Sequence, residues 1–280
     1  MAEMIYGFMD MILPFAWAQP DFMKRALLAV LMISPLCAAM GVLVVNFRMA
    51  FYASAISHSA FTGVALGVVL GIDARITLIL FGLLMGAAVT AVRRGSELSE
   101  DTAIGVLFST SVALGIAVIS AMKGLARNLE PYLYGDILTL GDQDILLISL
   151  LFIGVMTYIA IYYNRLVFLA VHEDLAHTRG LRVKRLQYIF SLVLALVVTM
   201  SIRTIGILLI TALLIIPAAA ARNMSRSACG MFWTAMAIAC LSSVFGLMGS
   251  YYWDTATGAA MVIGAAAAFF FSLLYRIIRA

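Results

Sequence analysis

The chain has 280 residues, 64% of them hydrophobic and 11% charged, whereas a soluble domain carries about 45–50% apolar and about 25% charged residues. So few charges cannot cover a water-facing surface, and the mean hydropathy of +1.08 marks a polytopic membrane protein. A soluble enzyme, a secreted disulfide scaffold and a nucleic-acid binder are excluded: the net charge of +4 sits between apolar runs, where loops meet anionic lipid and cytoplasm.

Residues 1–25 mix Met, Ile, Leu, Phe and Trp with Glu3, Asp10, Pro14 and Pro20. They read as an interfacial N-terminal segment. Without a basic n-region, they are not expected to be cleaved as a signal peptide. Apolar runs then predict spans near 26–46, 52–71, 75–92, 103–122, 144–163, 187–202, 204–221, 229–250 and 258–278. These approach the ~20 residues that cross a bilayer as a helix. The pair flanking Arg203 can also form one broken element, so the count is eight or nine. Backbone groups in lipid must satisfy one another and no alternating pattern is present, so the class is all-α integral membrane. One polytopic domain over 1–280 is expected. Small residues at Gly63–Gly67, Ala218–Ala221 and Gly264–Ala268 let helices approach closely.

Twelve of the 18 Lys and Arg fall on one side of these spans, from Arg48, Arg93 and Arg94 through Arg165 and Arg179–Arg185 to Arg276 and Arg279. That side is cytoplasmic by the positive-inside rule. Lys24, Arg25, Arg75, Lys123, Arg127 and Arg203 face the other way.

Few residues can carry chemistry. Ser54 and His58 lie inside an apolar span, four apart and on one helical face. An ionisable group within a span usually faces a bundle interior or a water-filled path, and imidazole is the commonest transition-metal ligand. The alternative is a structural histidine hydrogen-bonded to a neighbouring helix. His172-Glu173-Asp174-Leu175-Ala176-His177 only imitates HExxH: a spacing of five turns the rings roughly 140° apart, so they cannot clamp one ion from a regular helix. The stretch reads better as a short docking helix, with Glu173 and Asp174 at its start, Ala176 within it and Gly180 ending it. Residues 164–186 form the cytoplasmic coupling region in this reading. No GxxxxGK[ST] pattern occurs, so any ATPase must be another chain. Arg203 marks a break between spans at the outer surface or a buried ion pair, and Pro217 removes a helix hydrogen bond. Cys37, Cys229 and Cys240 are read as buried free thiols.

Several segments together resemble the membrane permeases of the zinc/manganese ABC importer family. Arg48-Met49-Ala50 through Ser57-His58 resembles the signature RRMAxxGDAxSHA, and Glu100-Asp101-Thr102-Ala103-Ile104-Gly105 is similar to EDTAIG. Tyr134-Gly135-Asp136-Ile137-Leu138 matches the FGxIL turn, and Glu173 through Gly180 falls where the family has DPExAxxxG. Thr204-Ile205-Gly206 through Arg222 is similar to the VG…LLVIPAATAR run, and Ser250 through Gly258 to SYYxDxPxG. The matches run in order from 48 to 258.

This resemblance implies an ABC importer permease of the metal-uptake type in the bacterial cytoplasmic (inner) membrane, without catalytic residues or a permanently bound cofactor. The cargo is a divalent metal, zinc ahead of manganese or iron. Implied partners are cytoplasmic ABC ATPase subunits, an extracytoplasmic metal-binding protein and a second permease copy, identical or paralogous. The family histidine falls on His58, a transient pathway ligand. The family aspartate falls on Ser54, which brings no negative charge; Ala256 replaces the late proline. Glu173, Asp174, Ala176 and Gly180 take the coupling role. An ion-coupled secondary transporter and a non-transporting membrane scaffold remain the other classes.

Overall fold

The structure, a computed structural model, describes residue 17 and residues 19–95, 99–121, 132–133, 135–178, 180 and 182–279. Ten α-helices follow: α1 (Asp21–Asn46), α2 (Ala50–Leu70), α3 (Ala74–Gly95), α4 (Glu100–Ala121), α5 (Asp142–Val171), α6 (Glu173–Thr178), α7 (Val183–Ile205), α8 (Ile207–Met224), α9 (Ala228–Trp253) and α10 (Thr257–Arg279). Ile137–Thr139 adds one 3-10 turn. No strand occurs among the described residues. Eight of these helices are long and apolar enough to cross a membrane, and the apolar run Leu209–Met224 is shorter. The all-α expectation of eight or nine spans is met. Helix α1 begins at Asp21, within the segment read as interfacial; residues 1–16 lie outside the described residues.

The chain divides into two compact units, residues 1–42, 136–159 and 212–280, and residues 43–135 and 160–211. In the second, α2 is the central helix: twelve of its 21 residues are buried. An added Cβ on Gly63 would lie 2.9 Å from the Thr77 carbonyl, so this glycine sets the close approach of α3. The Tyr52 hydroxyl donates toward the Gly86 carbonyl of α3 at 3.0 Å and the Ser191 carbonyl of α7 at 3.3 Å. Thr62 donates to the Ser111 carbonyl of α4 at 2.7 Å. Polar side chains thus tie α2 to three neighbours, as expected where lipid supplies no partners.

In the first unit, Arg25 of α1 pairs with Asp142 of α5 at 3.0 Å, and Lys24 with Asp21 at 3.6 Å. Lys24 and Arg25, two of the six basic residues expected on the basic-poor side, are thus each paired with an acid. Helices α9 and α10 form a close hairpin: a Cβ on Gly246 would meet the Met261 backbone nitrogen at 2.6 Å. Asp254 caps α9 in the left-handed conformation at φ 52°. Ser250 hydrogen-bonds the Thr255 carbonyl across that turn and sits 3.0 Å from the Thr257 hydroxyl. Leu150, Ile153, Phe271 and Ile277 are all at least 60% exposed, an apolar exterior suited to lipid. Cys37 is buried and Cys240 half-buried, but Cys229 is exposed. It stands in the first turn of α9, so its apolar neighbours in sequence do not enclose it.

Candidate functional site

Ser54 and His58 lie on α2, His58 about 12 Å from the helix start at 1.5 Å rise per residue. Tyr52, Ala53, Ala55, Ile56, Ser57, Ser59 and Ala60 around them are buried, whereas Ser54 and His58 are half-exposed. Phe51, exposed, and Phe61, half-exposed, continue the same stripe. The central helix of the unit thus leaves one face uncovered, and its two polar groups of interest sit there, one turn apart. The imidazole makes an edge contact with Phe108 of α4, ring centroids 5.9 Å apart. Phe108 also meets Phe51 at 6.5 Å. Among the described residues, neither Ser54 Oγ nor the His58 ring has a hydrogen bond or ion pair. A structural histidine in an apolar surrounding is expected to have such a partner; the described residues supply none. Among the described residues no three His, Cys, Asp or Glu groups converge on a metal position.

Helix α6 has only six residues, too short to persist alone. Ala176, fully buried, anchors it against Leu169, Val183 and Leu186, with Phe47, Tyr162 and Phe168 around them. Asp174, Leu175 and Thr178 face outward. Gly180 adopts φ +73° with open space where a Cβ would point, so glycine serves the backbone conformation there and not a close contact. His172 is exposed and faces Phe168 at 6.5 Å.

The break near Arg203 falls at Gly206, which joins α7 to α8. Ser57 Oγ donates to the Ile207 carbonyl at 2.7 Å, so the break packs against α2 well inside that helix rather than level with its end. Pro217 sits within the continuous α8. Phe108 and the Ser57 bond were not foreseen. Both are contacts between segments far apart in sequence, although Ser57 stands inside the signature that carries the resemblance.

The sequence profile described as the ABC 3 transport family matches residues 19–276. The chain belongs to this family. It is 33% identical over 256 residues to the high-affinity zinc uptake system membrane protein ZnuB of Haemophilus influenzae, covering 91% of this chain and 98% of that one. It is 32% identical over 257 residues to the manganese transport system membrane protein MntC of Listeria monocytogenes, covering 92% and 91%. The solved structure of PsaBC from Streptococcus pneumoniae in complex with Fab superposes with a TM-score of 0.80 at 31% identity, covering 96% of this chain and 95% of that one. Within the ABC 3 transport family, this chain is a multi-pass membrane permease subunit.

Proposed function

We propose that the chain is the permease subunit of an ATP-driven importer of divalent metal ions, zinc ahead of manganese or iron. The observation that carries this reading is the uncovered face of α2, where an imidazole and a hydroxyl stand one turn apart with no hydrogen-bond partner among the described residues. His58 is a transient ligand on the path, and Ser54 marks a second path position. The zinc-named and manganese-named relatives are 33% and 32% identical, so overall likeness does not choose the metal. Donor chemistry does: imidazole suits zinc, and without the carboxylate the site loses the oxygen ligand that manganese prefers.

Three partners complete the reading. The chain has no phosphate-binding loop, so ATPase subunits dock from the cytoplasm on residues 164–186, with Glu173, Asp174, Ala176 and Gly180 forming the coupling contact. If each of the nine longer helices crosses once, the twelve basic residues share one side, which is the cytoplasmic side of a bacterial inner membrane. A second permease copy, identical or paralogous, covers the open face of α2 and encloses the path. An extracytoplasmic binding protein delivers the ion. No cofactor is held permanently, because a site that binds its cargo too tightly cannot release it.

The test is reconstitution in proteoliposomes of permease, ATPase and binding protein, with labelled zinc, manganese and iron supplied outside. Zinc accumulation that requires ATP and all three components is the expected result, and the purified permease alone should hydrolyse no ATP. Accumulation driven by an ion gradient without ATP would instead establish a secondary transporter. No accumulation under either drive would leave a scaffold.

A further inference from the structure

Ser57 immediately precedes His58, and a serine hydroxyl inside an apolar bundle needs an acceptor. It is fully buried and donates to the Ile207 carbonyl at 2.7 Å. Ile207 is the first residue of α8, directly after Gly206. Gly206 has φ 95° and ψ 155°, a region essentially restricted to glycine. Its N–H donates to the Ile202 carbonyl at 2.6 Å, and its own carbonyl accepts from the Ile210 N–H at 3.1 Å. The loop glycine Gly135 packs on the same break, since an added Cβ there would overlap the Ile205–Gly206 peptide. Ile205 and Ile207 are 3% and 1% exposed. The break is therefore a fixed, buried discontinuity, and irregular backbone in transporters is tolerated where protein buries it.

The other end of α7 reaches the coupling segment. Val183 and Leu186, in its first turn, pack with Ala176 of α6. With 23 residues, α7 is about 34 Å long at 1.5 Å per residue. One helix thus runs from the docking element to the break that Ser57 holds, one residue from His58.

We propose that Ser57 is a positioning residue for transport: its hydroxyl latches α2 to the α7–α8 break, so that displacement of α7 by the ATPase turns the face of α2 that carries His58. Successive helical residues are about 100° apart, so Ser57 faces the break while His58 faces the uncovered side. Ser57 does not touch the ion. The proposal rests on the reading of His58 as a path ligand and of α6 as the coupling element.

The test uses the complete transporter in proteoliposomes, with labelled zinc uptake and ATP hydrolysis measured in the same vesicles. Ser57→Ala is expected to lower the zinc carried per ATP about fivefold or more, the scale of one lost buried hydrogen bond. Ser57→Thr, which keeps the donor, should hold the wild-type ratio. Ser59→Ala is the matched control: Ser59 is equally buried on the same helix, and its hydroxyl has no partner among the described residues. Its ratio should not change. If Ser57→Ala does not assemble, Ser57→Cys, with a weaker donor, is read in its place and should also lose zinc per ATP. An unchanged ratio in the donor-weakened variant overturns the latch while leaving metal import intact. An equal loss in Ser57→Thr or Ser59→Ala assigns the effect to packing and also overturns it. Failure of the wild-type transporter to carry zinc at all is a different result and refutes the import reading itself.

Discussion

His58 and Ser54 share the open face of α2, and neither has a hydrogen-bond partner among the described residues. Leaving a buried polar group unpaired costs about 1–3 kcal/mol; on α2, Tyr52, Ser57 and Thr62 avoid that cost by each reaching a carbonyl on a neighbouring helix, whereas buried Ser59 has no partner among the described residues. On the open face, Ser54 and His58 are the residues that the proposed path offers to a passing cation as an oxygen and a nitrogen ligand. Ser54→Asp tests the second position. It places a carboxylate one turn from the imidazole, about 6 Å along the helix axis. The expected outcome is a shift of at least about tenfold in the manganese-to-zinc uptake ratio toward manganese, with slower release of the ion. Competitive uptake of the two labelled metals measures it, and an unaltered ratio removes Ser54 from the path. His58 was legible in the sequence because a lone imidazole stands out in an apolar run. Phe108 was not, since a ring contact across 50 residues of chain depends on how α2 and α4 pack.

At the scale of elements, run length and loop charge located the spans well because a bilayer imposes a nearly fixed helix length. The α7–α8 break shows where that signal fails. Arg203 drew attention by its charge, yet the discontinuity is at Gly206, where backbone φ and ψ decide. Charge reports the polarity of a position, not its backbone conformation. Cys229 shows a related gap, since an apolar run does not reveal which face of a helix start is covered. Helix α6 was legible from its acids and the glycine beyond, but not the anchoring role of Ala176, which emerges only when Leu169, Val183 and Leu186 close around it. Reversing both acids, Glu173→Lys with Asp174→Lys, opposes the dipole of the first turn at about 0.3–1 kcal/mol per charge. That cost is small enough for the permease to fold, with Ala176 still in its pocket. Co-purification with the ATPase, or zinc carried per ATP, should then fall about tenfold, a loss equivalent to about 1.4 kcal/mol of docking energy. Survival of both assembly and coupled uptake in the double variant contradicts the docking assignment.

Across the whole molecule, the placement of acids separates the transport classes. Every described Asp and Glu lies in a loop, in a helix-starting turn, in α6 or at a helix cap, as with Asp73, Asp101, Asp142, Asp174 and Asp254. Ion-coupled carriers use carboxylates within their spans to bind and relay the driving ion; among the described residues this chain offers none. That placement accords with the proposal that energy is supplied from outside the membrane domain, through an ATPase docked on α6. The central claim is that the ion passes over His58. The direct measurement is ATP-driven uptake of labelled zinc by the reconstituted transporter carrying His58→Ala, normalised to folded, fully assembled complex. Uptake is predicted to fall by at least about tenfold while assembly and thermal stability stay near those of the wild type. Full zinc uptake by the alanine variant, or a loss explained entirely by unfolded protein, would contradict the claim.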